Sequence, residues 1–320
     1  MAATLRPTPV AALNDIPAGL TLMVLSVLVS PLIDVFGKLA LATIPSGQIV
    51  ATRFVLQVAF LLPIVVAGRR LKPTSASAIG LNAVRGALLV IGMFSFMTAL
   101  IVMQIADALA IFFVEPIILT ILGGLVLREK IGWRRYLACA VGFGGAMLVI
   151  RPSLEDVGLV ALLPVVSAFC VAIFVLITRR LAQSEDPFAM QLHAGIWALG
   201  FSLIALWIGS GSGSALFDPV WPDRLAIAYL IGVGLTATVA GVLGVYAYRA
   251  APASVLAPLQ YLEIVSGTLF GYLVFDHLPD ALKWLGIAII IGSGLTIIWR
   301  ERVVSRRESR PDMPPVPPVA

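Results

Sequence analysis

Six ionisable side chains stand inside long apolar runs of this sequence: Asp34, Lys38, Arg53, Arg85, Glu115 and Glu263. A charge in hydrocarbon costs at least ~2.5–3.5 kcal/mol on insertion scales, so each needs a partner or a purpose. Asp34 and Lys38 are spaced i,i+4 and can neutralise each other on one helix face. Glu115 precedes Pro116, which frees a mid-helix carbonyl and can bend the chain where a polar cavity satisfies it. Phe112 stands one turn before Glu115 and Gln260 one turn before Glu263, with Phe113 and Tyr261 adjacent. Two carboxyls, an amide and aromatic surface could receive a small ligand, exchange a proton or hold a cationic group. The other use of each glutamate is burial against Arg53, Arg85 or a tyrosine hydroxyl. Arg85, beside Gly86, is suited to an anionic group of a ligand.

The elements that carry these residues must be membrane helices. Of the 320 residues, 60% are hydrophobic and 12% charged, against about 25% charge in an ordinary globular domain. The apolar runs recur from Ala18 to Trp299, each near the ~20 residues a helix needs to cross hydrocarbon. Lipid offers no partners to backbone N–H and C=O groups, and these runs are too long and uniform for barrel strands, which leaves helices. The expected spans are 18–39, 47–67, 79–101, 105–127, 133–150, 158–178, 188–208, 225–247, 253–275 and 281–299. The first is read as a retained span, not a cleaved leader, because it runs on through Pro31, Asp34 and Lys38 into the next.

With the N-terminus inside, sixteen Lys and Arg residues fall on the cytoplasmic side and only Arg151, Arg224 and Lys283 on the other. The positive-inside rule therefore places both termini in the cytoplasm. It also accounts for the net charge of +5, with no need of nucleic acid, since the cations are spread among loops. Asp107, at the outer edge of the fourth span, reads as a solvated end. Cys139 and Cys170 lie within spans without metal-ligand spacing; no metal and no cofactor is expected.

A shift of 148 residues lays 105–151 on 253–299 and matches Glu115 with Glu263, the acids of the fourth and ninth spans. Each half then holds five spans. An odd number turns the second half upside down, the arrangement that puts a substrate site near the midplane between halves. The stretch ADALAIFFVEPIILTILGGLVLREKIGWRRYLACAVGFGGAMLVIRP from Ala106, and YRAAPASVLAPLQYLEIVSGTLFGYLVFDHLPDALKWLGIAIIIGSGL from Tyr248, resemble the two EamA-type repeats of the drug/metabolite transporter (DMT) superfamily. The resemblance implies an all-α integral membrane protein of ten transmembrane helices in two inverted five-helix repeats, set in a bacterial inner membrane. It also implies a central cavity lined chiefly by helices 1, 3, 4, 6, 8 and 9. Arg53, on helix 2, then reads as snorkelling or pairing, and Arg85 as the cavity cation. One departure stands out: the acid after the fourth helix is present as Glu129, but His277 occupies the matching position after the ninth.

The resulting organisation is a cytoplasmic N-terminal segment 1–17, repeats 18–152 and 153–300, and a disordered cytoplasmic tail 301–320 ending in a Pro-rich run. The expected activity is secondary transport of a small metabolite by alternating access: an amino acid, a vitamin- or cofactor-like compound, or a drug-like amphiphile. A channel or a flippase-like exporter is the alternative. An intramembrane enzyme fits least, since no HExxH motif is present and Gly209–Ser214 is a flexible loop, not a nucleophile turn. Candidate substrate-binding residues are Glu115, Glu263, Gln260, Tyr261, Phe112, Arg85, Asp34 and Lys38. The partners are a small-molecule substrate and the lipid bilayer, with a coupling proton and a homodimer as further candidates.

Overall fold

Helix ends in this chain are set by residues that look like loop charges in the sequence. Asp186 accepts hydrogen bonds from the Phe188 and Ala189 N–H groups at 3.0 and 3.3 Å. Asp223 and Asp280 do the same for Ala226 and Lys283, at 2.7 and 2.8 Å, and Ser75 caps at Ala78. Each satisfies amide donors that a helix start leaves without intrahelical partners. The computed structural model describes residues 16–70, 75–115, 117–118, 121–122, 137, 140–145, 147–148, 155–181, 185–214, 216–250, 259 and 262–308.

Within them the chain forms α1 (Ile16–Val29), α2 (Pro31–Ala40), α3 (Ser46–Ala67), α4 (Ala76–Leu100), α5 (Ile105–Phe112), a 3-10 turn (Gly158–Leu162), α6 (Leu163–Leu181), α7 (Pro187–Gly209), α8 (Arg224–Ala250), α9 (Leu262–Phe275) and α10 (Ala281–Glu308). No strand occurs among the described residues. Six stretches are long and apolar enough to cross a membrane: Pro17–Ala40, Ser46–Ala67, Ala76–Leu100, Glu155–Thr178, Phe188–Gly209 and Arg224–Ala247. Leu262–Phe275 and Ala281–Ser293 are shorter apolar helices. Large apolar side chains such as Val55, Ile64, Ile91, Leu203, Ile231 and Leu269 point outward, as they do when the surrounding solvent is lipid. The protein is an all-α integral membrane protein. Half of the expected span 133–150 lies outside the described residues, as does most of the fourth span beyond Ile118. α10 continues to Glu308, past the end expected at Trp299.

The first span is two helices in series. Pro31 has no N–H to give the Val27 carbonyl, so the ladder breaks at Ser30 although the chain keeps helical dihedrals there. The fourth span shows a related disturbance just before Pro116: α5 ends at Phe112, and Val114 and Ile117 bond three residues back, to Ile111 and Val114.

Packing between helices follows a repeating scheme. α4 lies against α6 and α7, while α8 lies against α1, α2 and α3. α3 pairs with α7 and α5 with α9, and residues 140–145 meet α10, where a Cβ on Gly142 would strike the Ser293 hydroxyl and one on Gly145 the Ile289 side chain. Numbered as spans, three contacts six and seven, eight contacts one and two, and two–seven, four–nine and five–ten pair directly. Exchanging the halves leaves this set unchanged.

Candidate functional site

The break in the first span is where the polar interior is built. The Val27 carbonyl that Pro31 leaves without an amide donor lies 3.0 Å from the Ser266 hydroxyl of α9, whose one proton is shared with the Leu262 and Glu263 carbonyls of its own helix at 3.1 and 3.2 Å. One turn earlier on α9, Glu263 Oε1 accepts the Ser30 hydroxyl at 2.5 Å. Two side-chain hydrogen bonds thus join the broken helix to the ninth span, while Gly267 admits the close approach of α5, since a Cβ there would lie 2.2 Å from Leu109 Cδ1. Asp34, one turn into α2, lies in the electrostatic field of both Glu263 and Arg53. The Ser26 hydroxyl of α1 reaches the Ala240 carbonyl of α8 at 2.8 Å.

Arg53 leads from this locus into a cavity of about 170 Å³ between α3, α4, α6, α7 and α8. Gln57, Phe174, Phe188, Gln191 and Thr238 are among its walls. By position along the helices it occupies the half of the bundle nearer the ends of α3 and α6. At the opposite end, where α3 begins, α3 and α4 are tied to the segment between α7 and α8. Gln48 exchanges two hydrogen bonds with the Val220 backbone, at 2.9 and 3.0 Å. Gly47 N–H donates to the Leu216 carbonyl at 3.0 Å, and Phe94 stacks on Phe217 at 4.7 Å. Beside them Lys283 of α10 donates to Asp107 Oδ2 of α5 at 2.7 Å, both side chains buried. Asp107 is therefore not the solvated end expected.

The other residues singled out from sequence separate. Asp34 and Lys38 do not form the expected i,i+4 pair: Lys38 Nζ donates to the Met103 carbonyl and lies 5.6 Å from the Phe275 ring centre, in the field of Asp107. Arg85 is fully buried away from the cavity lining. Its Nε donates to Thr178 at 3.0 Å, and one amino group donates to Asn82 Oδ1 at 2.7 Å and the Met190 carbonyl at 3.2 Å. Its guanidinium lies over Phe174, and Asn82 in turn donates to Glu185. Arg85 thus ties α4 to α6 and α7, whereas Arg53, on a helix the resemblance places outside the cavity, lines it. Glu115 is buried and has interaction partners. Phe112 packs edge-on against Phe96 and Phe113, at 5.7 and 5.9 Å. Gln260, Tyr261 and Glu129 lie outside the described residues. Sequence reasoning passed over Ser30 and Ser266; the signals were a hydroxyl beside the helix-breaking Pro31 and another at i,i+3 from Glu263. Gln191 and Thr238 had no signal beyond being polar within apolar runs.

An all-helical bundle that turns apolar faces to lipid and gathers its charged groups inside, around a broken helix and a cavity, has the build of a membrane transport protein. The family's sequence profile matches twice, over residues 17–151 and 158–299, and the chain belongs to the EamA-like transporter family. It is a multi-pass membrane transporter, not an enzyme. The riboflavin transporter of Vibrio cholerae serotype O1 is 30% identical over 267 residues, 83% of this chain and 87% of that protein. The S-adenosylmethionine uptake transporter of Rickettsia prowazekii is 27% identical over 305 residues, 93% and 99% of the two chains. A solved crystal structure shares the fold with a TM-score of 0.62 at 14% identity, covering 91% of this chain and 98% of that one.

Proposed function

We propose that this protein is a secondary transporter that moves a small metabolite by alternating access of two inverted five-helix halves, residues 18–152 and 153–300, with ten spans in all. The observation that carries the reading is the junction at Pro31. There the first half's broken helix is held to the second half's acidic helix by the Ser30–Glu263 and Ser266–Val27 hydrogen bonds. A carbonyl freed at membrane depth is tolerated where it is buried in protein and re-satisfied by a hydroxyl, as here, and interrupted helices at the meeting of two halves are where transporters of this build place their sites. Asp34, Glu115 and Glu263 are the groups that exchange a proton or hold a cationic part of the cargo. Gln260, Tyr261 and Phe112 complete that surface. Arg85 and Lys38 position helices around it. The names of the two relatives support a cofactor-sized or smaller organic cargo. A channel is the alternative reading.

The test is uptake and efflux of a labelled panel of amino acids, nucleosides and vitamins by purified protein in liposomes, with and without an imposed pH gradient. Saturable flux that responds to the gradient is expected. Flux that never saturates points to a channel, and no flux for any compound class removes the reading.

We also place the protein in the bacterial inner membrane with both termini cytoplasmic, on the strength of the cation distribution. Reporter fusions after Leu71, Ser184 and Ser309 should all give a cytoplasmic signal. A periplasmic signal at any one of them overturns this topology.

A further inference from the structure

We infer that the cavity beneath Arg53 is a binding site for a small monocarboxylate with an aromatic or otherwise apolar body. The assignment deepens the transport reading and rests on it for its use. Arg53 Nε is sealed from solvent and has no hydrogen-bond partner. One amino group reaches only the thioether of Met93, at 3.1 Å, and the guanidinium lies 4.7 Å from the ring centre of the adjacent Phe54. Among the described residues no carboxylate comes within 4.0 Å of it; Asp34 acts on it only through the field. A thioether is a weak acceptor, so the half-buried guanidinium, which lines the cavity, has donor capacity left for an anion at its fork. A carboxylate matches that fork in shape and charge.

The remaining walls say what the carboxylate is attached to. Phe174 and Phe188 supply ring faces for an apolar body. The Thr238 hydroxyl spends its proton on the Gly234 carbonyl at 2.8 Å, so it has a lone pair to offer an N–H or O–H of the ligand. Charge sets the upper limit. Arg53 is the only cation that lines the cavity among the described residues, which fits the site to a single carboxylate. Arg85 does not compete for the ligand, because its Nε and one amino group are filled by protein and it does not line the cavity.

The experiment is ligand binding to purified full-length protein in detergent, read as thermal stabilisation and by calorimetry. The probes are phenylacetate, its neutral isostere phenylacetamide and the cation phenethylamine. Phenylacetate should bind roughly tenfold or more tightly than either. Arg53→Gln should erase the preference and Arg53→Lys should keep part of it. Because Arg53→Gln can fail to fold, Gly241→Leu provides an independent arm. Gly241 lines the same cavity, and a Cβ there meets only the flexible Gln191 amide, at 3.4 Å. The leucine should fill the space and abolish phenylacetate binding with Arg53 intact. Equal affinity for phenylacetate and phenylacetamide, or phenylacetate binding that survives Gly241→Leu, overturns the assignment. Binding is read without a gradient or a bilayer, so its failure sinks the cavity site alone, while the liposome flux measurement decides the transport reading.

Discussion

Glu263→Gln should reduce gradient-driven transport to the level of protein-free liposomes while the protein still inserts, purifies and unfolds cooperatively. Glutamine keeps the size of the side chain and a carbonyl oxygen that accepts the Ser30 hydroxyl, so what it removes is ionisation. The lost difference between a charged and a neutral acceptor is worth about 1 kcal/mol, too little to unfold the chain. Ionisable groups placed inside a membrane are the usual carriers of proton relays, and Glu263 is joined by hydrogen bond to the one place where the first helix is discontinuous. Ser30→Ala supplies the control: it removes the same hydrogen bond but leaves the carboxyl, and should slow transport without abolishing its dependence on the gradient. If Glu263→Gln retains wild-type pH dependence and affinity, the carboxyl is a structural acceptor and the proton-carrying role passes to Asp34 or Glu115.

The second large effect is expected at the buried Asp107–Lys283 pair. Lys283→Met strands a carboxylate that already has one oxygen, Oδ1, without a partner, and removing one member of a buried pair costs about 3–5 kcal/mol. Strongly lowered yield and thermal stability should follow. The exchanged pair, Asp107→Lys with Lys283→Asp, should recover much of the loss. An apolar replacement of both, Asp107→Leu with Lys283→Met, should recover stability too, but with slowed transport, because it replaces a breakable polar contact between α5 and α10 by an adhesive one. If the exchanged pair is no more stable than either single variant, the two charges are not coupled and the 2.7 Å contact does not hold α5 to α10.

The architecture was legible because the forces behind it are written locally. Apolar runs of spanning length need no knowledge of their neighbours, and Pro116 marks a bend by its own chemistry, although the same signal at Pro31, read as interior to one span, was passed over. The 148-residue register survives in the matched glutamates. What could not be read were partners distant in sequence or belonging to the backbone. Lys38 and Asp34 are a textually ideal pair, yet Lys38 is satisfied by the Met103 carbonyl, and any residue has a carbonyl. Asp107 and Lys283 meet across 176 positions with nothing local to announce it. The exchange of places between Arg53 and Arg85 has the same origin. Both are arginines on apolar helices, and only packing shows that Thr178, Asn82 and the Met190 carbonyl surround Arg85, whereas a lone thioether meets Arg53.

The carbonyl of Val27 puts a ratchet tooth into the bundle. It is without an amide donor for as long as residue 31 is proline, so wherever α9 slides along the break, some donor must replace Ser266. A slip of one helical turn, about 5.4 Å, would bring up residues spaced three or four from Ser266: Leu262, Glu263, Leu269 or Phe270. Leucine and phenylalanine side chains have nothing to donate, and a carboxylate can only accept. A protonated Glu263 can donate. Such a slip would be satisfied in one chemical state of one residue and would orphan a buried carbonyl in the other.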